Sequence, residues 1–109
     1  MQQDQQHHWI ISIPATITDM NLFKETRPSH IAHLKSLCEE GTIVLSGPTL
    51  NEHPKEQDRA PIITGSVWVI KAGTEEEVRQ HARENPFAKV GIWSVDAATV
   101  QPFVLALRA

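Results

Sequence analysis

Arg27 and His30 stand close together in "ETRPSHIAHLKSL", among apolar neighbours, and are the residues of this chain best placed for chemistry. A guanidinium can hold an anion or a developing negative charge, and an imidazole with an ordinary pKa of about 6.5 moves protons near neutrality. At about 100° per residue, Ile31, Leu34, Leu37 and Cys38 form one apolar stripe, with His30 on its border and His33 farther round. Pro28 in a first turn and Gly41 as a left-handed cap predict a helix over about Pro28 to Glu40. Arg27 would then precede the helix N-terminus, where free N–H groups and the dipole favour a carboxylate or phenolate. The same placement serves a packing histidine with one hydrogen bond and an arginine paired with a glutamate, so both roles stay open here.

The elements that must position these residues follow from periodicity and punctuation. "WIISIPA" alternates Trp9, Ile11 and Ile13 and predicts a first strand, followed by a connector from Pro14 to Asn21. "TIVLSGP", closed by Gly47-Pro48, and "ITGSVWVIKA" predict neighbouring antiparallel strands, joined by the polar loop "TLNEHPKEQDRAPI". Thr74 and Glu77 have capping-box spacing and Glu75 can pair with Arg79, which predicts a second helix from Glu75 to Glu84 ended by Pro86. "VGIWSV" then supplies a fourth strand and "VQPFVLAL" a C-terminal strand or tail. The order is βαββαβ, an α+β chain of ferredoxin-like type whose antiparallel sheet carries both helices on one face and leaves the other in need of cover.

Composition narrows the function. The 109 residues suit one domain, expected over 9–109 behind a polar leader at 1–8. A net charge of −3 without a basic block argues against nucleic acid. No apolar run approaches the roughly 20 residues needed to span a bilayer, and the start lacks the pattern of a signal peptide. A cytoplasmic protein is expected. Cys38, the lone cysteine, fits a small buried hydrophobe in a reducing compartment. Of six histidines only His7-His8 and His30 with His33 lie close together, and no nearby acid or thiol completes a set, so no metal is expected. Neither a Gly-rich phosphate loop nor any other feature calls for a nucleotide, flavin or haem. Trp9, Trp68 and Trp93 fall on three predicted strands, where they suit a core, an interface or the lining of a pocket between sheet and helices.

Taken in order and spacing, "RPSHIAHLKSL", "GTIVLSGPTL", "GSVWVI", "TEEEVRQHARENPFAKVGIW" and "VQPF" resemble the YCII-related (YciI-like) family, most of all its fungal-type members, from Trp9 to Phe103. The resemblance implies a dimeric α+β barrel formed by two sheets packed face to face. It places the family's R-x-x-H-[LI] motif, associated with an active site, on Arg27, His30 and Ile31, and its small-Gly-Pro turn on Ser46, Gly47 and Pro48. Where the family commonly has an Asp that pairs with the histidine, this chain has Asn85, which can orient a ring or a substrate oxygen without the charge, or simply end a helix. The expected catalytic set is therefore His30, Arg27 and Asn85, with Ser46, Gly47, Pro48, Trp68, Trp93 and His33 binding substrate. The implied activity is cofactor-independent proton transfer on a small oxygenated or aromatic metabolite, an isomerisation, dehydration or cyclisation in secondary metabolism. A non-catalytic binding or sensing module is the alternative, favoured by the missing Asp, and a cofactor-free oxygenase-like protein the third.

Overall fold

The computed structural model describes residues 6–55 and 60–108. The elements run β1 (His7–Pro14), α1 (Met20–Glu39), β2 (Ile43–Leu50), β3 (Ile63–Ala72), α2 (Glu75–Arg83), α3 (Pro86–Lys89) and β4 (Thr99–Phe103). The strands form one antiparallel sheet in the order β2-β3-β1-β4, the ferredoxin-like arrangement. Most of the expected leader, up to Gln5, lies outside the described residues, but His7 and His8 already pair with Ala72 and Lys71 in the sheet. Residues 56–59 of the polar loop also lie outside them. No helix of the described residues is long and apolar enough to cross a membrane.

The two-residue period of β1 and β3 decides which face is buried. Ile11 pairs with Trp68 and Trp9 with Ile70, so these side chains share one face and enter the core with Ile13, Val78, Ala82, Phe87 and Trp93. Gly65 on β3 is required by closeness: a Cβ there would lie 2.4 Å from the carbonyl oxygen of Ile13 on β1. On the opposite face Ile10, Val67 and Val69 alternate with Ser12 and Lys71, and Leu45 of β2 is 54% exposed.

Three sequence expectations need correction. Helix α1 begins eight residues before Pro28, where the Asp19 side chain accepts from Leu22 N at 3.1 Å as N-cap. Pro28 therefore lies inside the helix, costing the bond its missing N–H would have made to the preceding turn. Arg27 and His30 consequently sit mid-helix, away from the N-terminus of α1. The longer helix also turns the buried stripe: Phe23, Thr26, His30, Leu34 and Leu37 face inward, His30 at its centre, while Ile31 and Cys38 are exposed. The far end is as expected, with Gly41 at φ 82° and the N–H groups of Gly41 and Thr42 donating to the carbonyls of Cys38 and Leu37.

Second, "VGIWSV" is not a strand. Pro86 begins α3 rather than merely ending α2, and the N–H groups of Ile92 and Trp93 are both taken by the Phe87 carbonyl, at 2.9 and 3.1 Å. What remains is a single bridge of Trp93 to Ala15, flanked by Thr16 N–H to Ile92 O and Ser94 N–H to Pro14 O. The fourth strand is Thr99–Phe103, overlapping the stretch "VQPFVLAL" expected to be a strand or tail. Third, Ser46, Gly47 and Pro48 do not form a turn: they lie within β2, paired with Trp68, Val67 and Ser66. Pro48 is tolerated because β2 is an edge strand, with one flank free of a ladder.

Helix α2 matches its expected caps, Thr74 accepting from Glu77 N and Glu75 pairing with Arg79 at 3.1 Å. Arg79 also donates to the carbonyls of Val95 and Ala98, at 3.0 and 3.1 Å, and so ties the segment after Trp93 to α2. An ammonium cannot reproduce that fork. Arg79→Lys should lower stability by about 1–3 kcal/mol, read as a lower urea midpoint with unchanged slope.

Candidate active site

A cavity of about 240 Å³ lies between α1 and the β2 side of the sheet. Its floor is aromatic and aliphatic, with Phe23, Leu34, Phe87, Ile92 and Trp93; its polar groups are Arg27, His30, Ser46 and Ser66. Arg27 and Ile31 are exposed as well as lining, so the α1 rim is the mouth.

His30 is the most constrained of the polar groups. It is 8% exposed, stacked on Phe87 with ring centroids 4.0 Å apart, and edge-on to Trp93 at 5.2 Å. Its Nδ1 lies 3.0 Å from Oδ1 of Asn85, a residue with no exposed surface. Asn85 is N-cap of α3, and its Oδ1 also accepts from the backbone N–H of Phe87 at 2.9 Å. A backbone N–H can only donate, so that bond identifies the oxygen of the amide. His30 Nδ1 must then carry the proton, and in the neutral ring Nε2 keeps a lone pair. No hydrogen bond occupies Nε2 among the described residues.

Burial pushes the pKa of His30 below the ordinary imidazole value; the hydrogen bond to Asn85 works the other way, and Arg27 and His33 reinforce the lowering. The ring is thus a neutral base at neutral pH. Arg27 shares the cavity wall but makes no ion pair among the described residues, leaving its charge for an anion or developing oxyanion.

The structure brings Arg27, His30, Ser46, Gly47, Pro48 and Trp93 to one cavity. Trp68, His33 and Asn85 are not on its wall. Trp68 lies behind Trp93, edge-on at 5.7 Å, and His33 binds the far side of the Asn85 amide, its Nδ1 accepting from Nδ2 at 2.8 Å. Asn85 therefore meets the two imidazoles and does not line the cavity. Sequence reasoning missed Ser66 and Phe87. Alternation along β3 puts Ser66 on the same inward face as Trp68, and a hydroxyl in a buried stripe is the signal that could have found it. Phe87, two residues after Asn85, was hidden because α3 was not foreseen.

A family model of the YCII-related domain matches residues 8–102. The chain belongs to the YCII-related domain family. This YCII-related chain is 44% identical, over 84% of its length and 93% of the relative's, to the derivative of benzaldehyde biosynthesis cluster protein C of Emericella nidulans. It is 30% identical to the xenovulene A biosynthesis cluster protein asL2 of Sarocladium schorii, covering 93% of this chain and 90% of that one. Among solved structures it resembles the 5-chloro-2-hydroxyhydroquinone dehydrochlorinase TftG of Burkholderia phenoliruptrix, in complex with 2,5-dihydroxybenzoquinone. The TM-score is 0.68 over 88% of this chain and 92% of that one, and at 24% identity the likeness is one of fold.

Two expectations follow from the electrostatics. His30 and His33 both have folded-state pKa values lowered by burial. Below about 6.5 the unfolded chain binds more protons than the folded one, so their contribution to stability is complete above that pH and is lost as pH falls through the folded values. Urea midpoints should decline with acidification, less steeply in His30→Gln. Asn85→Asp places a carboxylate against His30 and should move the His30 titration midpoint, followed by imidazole NMR signals, above that of the wild type.

Proposed function

We propose that this protein is a cofactor-independent enzyme of secondary metabolism that isomerises, dehydrates or cyclises a compact oxygenated or aromatic metabolite by proton transfer at His30. The observation that carries the reading is the pairing, on one small and largely apolar cavity, of an imidazole held as its Nδ1–H tautomer with an arginine that makes no ion pair among the described residues. A cavity of about 150 Å³ accommodates benzene, so about 240 Å³ suits one substituted ring or a molecule of that size. The membership of both curated relatives in fungal biosynthesis clusters supports a place in secondary metabolism.

In a dehydration, His30 Nε2 takes a proton from the carbon next to a carbonyl, and the electron pair moves to the carbonyl oxygen facing Arg27. Collapse of that enolate expels the β-hydroxyl, which takes the proton back from the imidazolium and leaves as water. An isomerisation uses the same base and returns the proton to a different carbon. Ser46 and Ser66 orient the substrate's oxygens. Phe87 and Trp93 exclude water and hold the ring of His30 in place. Asn85 is a positioning residue, since it touches the base and not the cavity.

The same reading includes a homodimer built on the outer sheet face, where half-buried Ile10 and Val67 and exposed Leu45 supply apolar surface for a second sheet. The rival is a binding module using this cavity without turnover. It is favoured by Asn85, because an amide stabilises an imidazolium less than a carboxylate does.

Incubating wild type and His30→Ala with small phenols, keto acids and hydroxy acids, followed by ligand-observed NMR, separates the two. The enzyme should convert at least one ligand, and His30→Ala should still bind it while losing about 10²–10⁴-fold in rate. Arg27→Ala should weaken both binding and rate for anionic ligands. Ligands that bind the wild type and the variant alike, with no conversion in either, would refute the catalytic reading.

A further inference from the structure

His33 is a half-buried ionisable residue that lines no part of the cavity and takes no part in the proton transfer above. Its Nδ1 accepts from Asn85 Nδ2, whereas its Nε2 is buried with no partner among the described residues. Because Phe87 N–H marks Oδ1, the amide nitrogen must be the atom that faces His33. His33 must then present a lone pair at Nδ1, so its own proton sits on Nε2, where it finds no acceptor among the described residues. An orphaned buried donor is costly and uncommon in native structures. The opposite tautomer would spare it but set an N–H against the amide N–H₂. We propose that His33 is a positioning residue, whose unprotonated Nδ1 holds the Asn85 amide in the orientation that commits His30 to the Nδ1–H tautomer, so that His30 and not His33 receives the proton.

The choice between the rings follows from the amide having one oxygen. Protonated His30 still donates from Nδ1 to Oδ1, and that bond becomes charge-assisted. Protonated His33 would face Nδ2 with a second donor. Relieving that clash means turning the amide, which breaks both the Phe87 cap and the bond to His30. The surrounding charges do not reverse this order. Glu84 at the end of α2 and Glu40 at the end of α1 favour a proton on His33, while His81 on α2 and Lys89 on α3 oppose it; around His30, Arg27 and His33 oppose a proton. Glu84, Glu40 and Lys89 are exposed and screened by solvent, whereas the amide is fully buried.

The consequence of this inference rests on His30 as the proposed base, but its test needs no substrate. Long-range ¹⁵N–¹H spectra of the imidazoles assign the protonated nitrogen of each ring in wild type, His33→Phe and His33→Gln. In wild type His30 should be the Nδ1–H tautomer, His33 the Nε2–H tautomer, and His30 should titrate first as pH falls. His33→Phe removes the acceptor and should raise the minor His30 tautomer by about fivefold or more, the loss of one hydrogen bond. His33→Gln, whose amide oxygen can accept from Nδ2, should restore the wild-type ratio. An Nε2–H tautomer for wild-type His30, His33 titrating first, or a folded His33→Phe with an unchanged His30 would each overturn the proposal. Should His33→Phe not fold, the wild-type tautomers and titration order still decide. Absence of turnover with the tautomers as stated would defeat the enzymatic reading alone.

Discussion

Asn85 is fully buried, and its amide has only one orientation compatible with its neighbours. The N–H of Phe87 requires an oxygen, and His33 supplies a lone pair for the nitrogen. His30 must take what remains. Three segments meet at this side chain: α1, which carries both histidines, the end of α2, and the first turn of α3. The capping of a four-residue helix and the tautomer of the candidate base are one interaction. Losing it would at once unfasten α3, whose Phe87 stacks on His30 and whose carbonyl holds the backbone of Ile92 and Trp93.

An amide in place of a carboxylate changes the kind of base that results. A carboxylate beside a buried imidazole raises its pKa and stores the ring partly as imidazolium, which must lose its proton before it can act. The amide fixes the ring without adding charge, so burial dominates and the imidazole is neutral and ready at neutral pH. In the proposed reaction the drawback would come later, when an imidazolium would have no full counter-charge and would rely on the Asn85 oxygen and the face of Phe87. In that proposed reaction such a base would suit acidic protons, next to a carbonyl or on a phenol, where Arg27 would take up the developing charge.

Much of the architecture was legible because it rests on strong local signals. The alternation of Trp9, Ile11 and Ile13 matches the face they bury, and Thr74 and Gly41 cap helices as their types predict. The start of α1 was not, because two signals competed. Asp19 is a good N-cap and Pro28 a good first-turn residue, and a local rule cannot decide between them. Tertiary packing decides: Phe23 stacks against Phe87 at 5.3 Å and lines the cavity, so extending the helix backward buries an aromatic ring that outweighs one lost backbone bond. "VGIWSV" looked like a strand from its apolar residues alone. Its backbone is spent on closing α3, which composition does not reveal.

The same contrast holds for the site. Arg27 and His30 stood out by residue type, and their shared cavity required only that one helix face carry both. The division between wall and support was hidden, because it depends on what lies behind the wall. Trp68 and Trp93 look alike in the chain, yet Trp68 is fully buried while Trp93 reaches the cavity. His30 and His33 are separated by less than one helical turn, yet one lines the cavity and the other turns toward the amide behind it. An amide offers a donor and an acceptor in a fixed plane without a charge, so it can give two identical imidazoles opposite tautomers. A carboxylate would accept from both rings and make them equivalent, whereas the asymmetry of Asn85 makes them different.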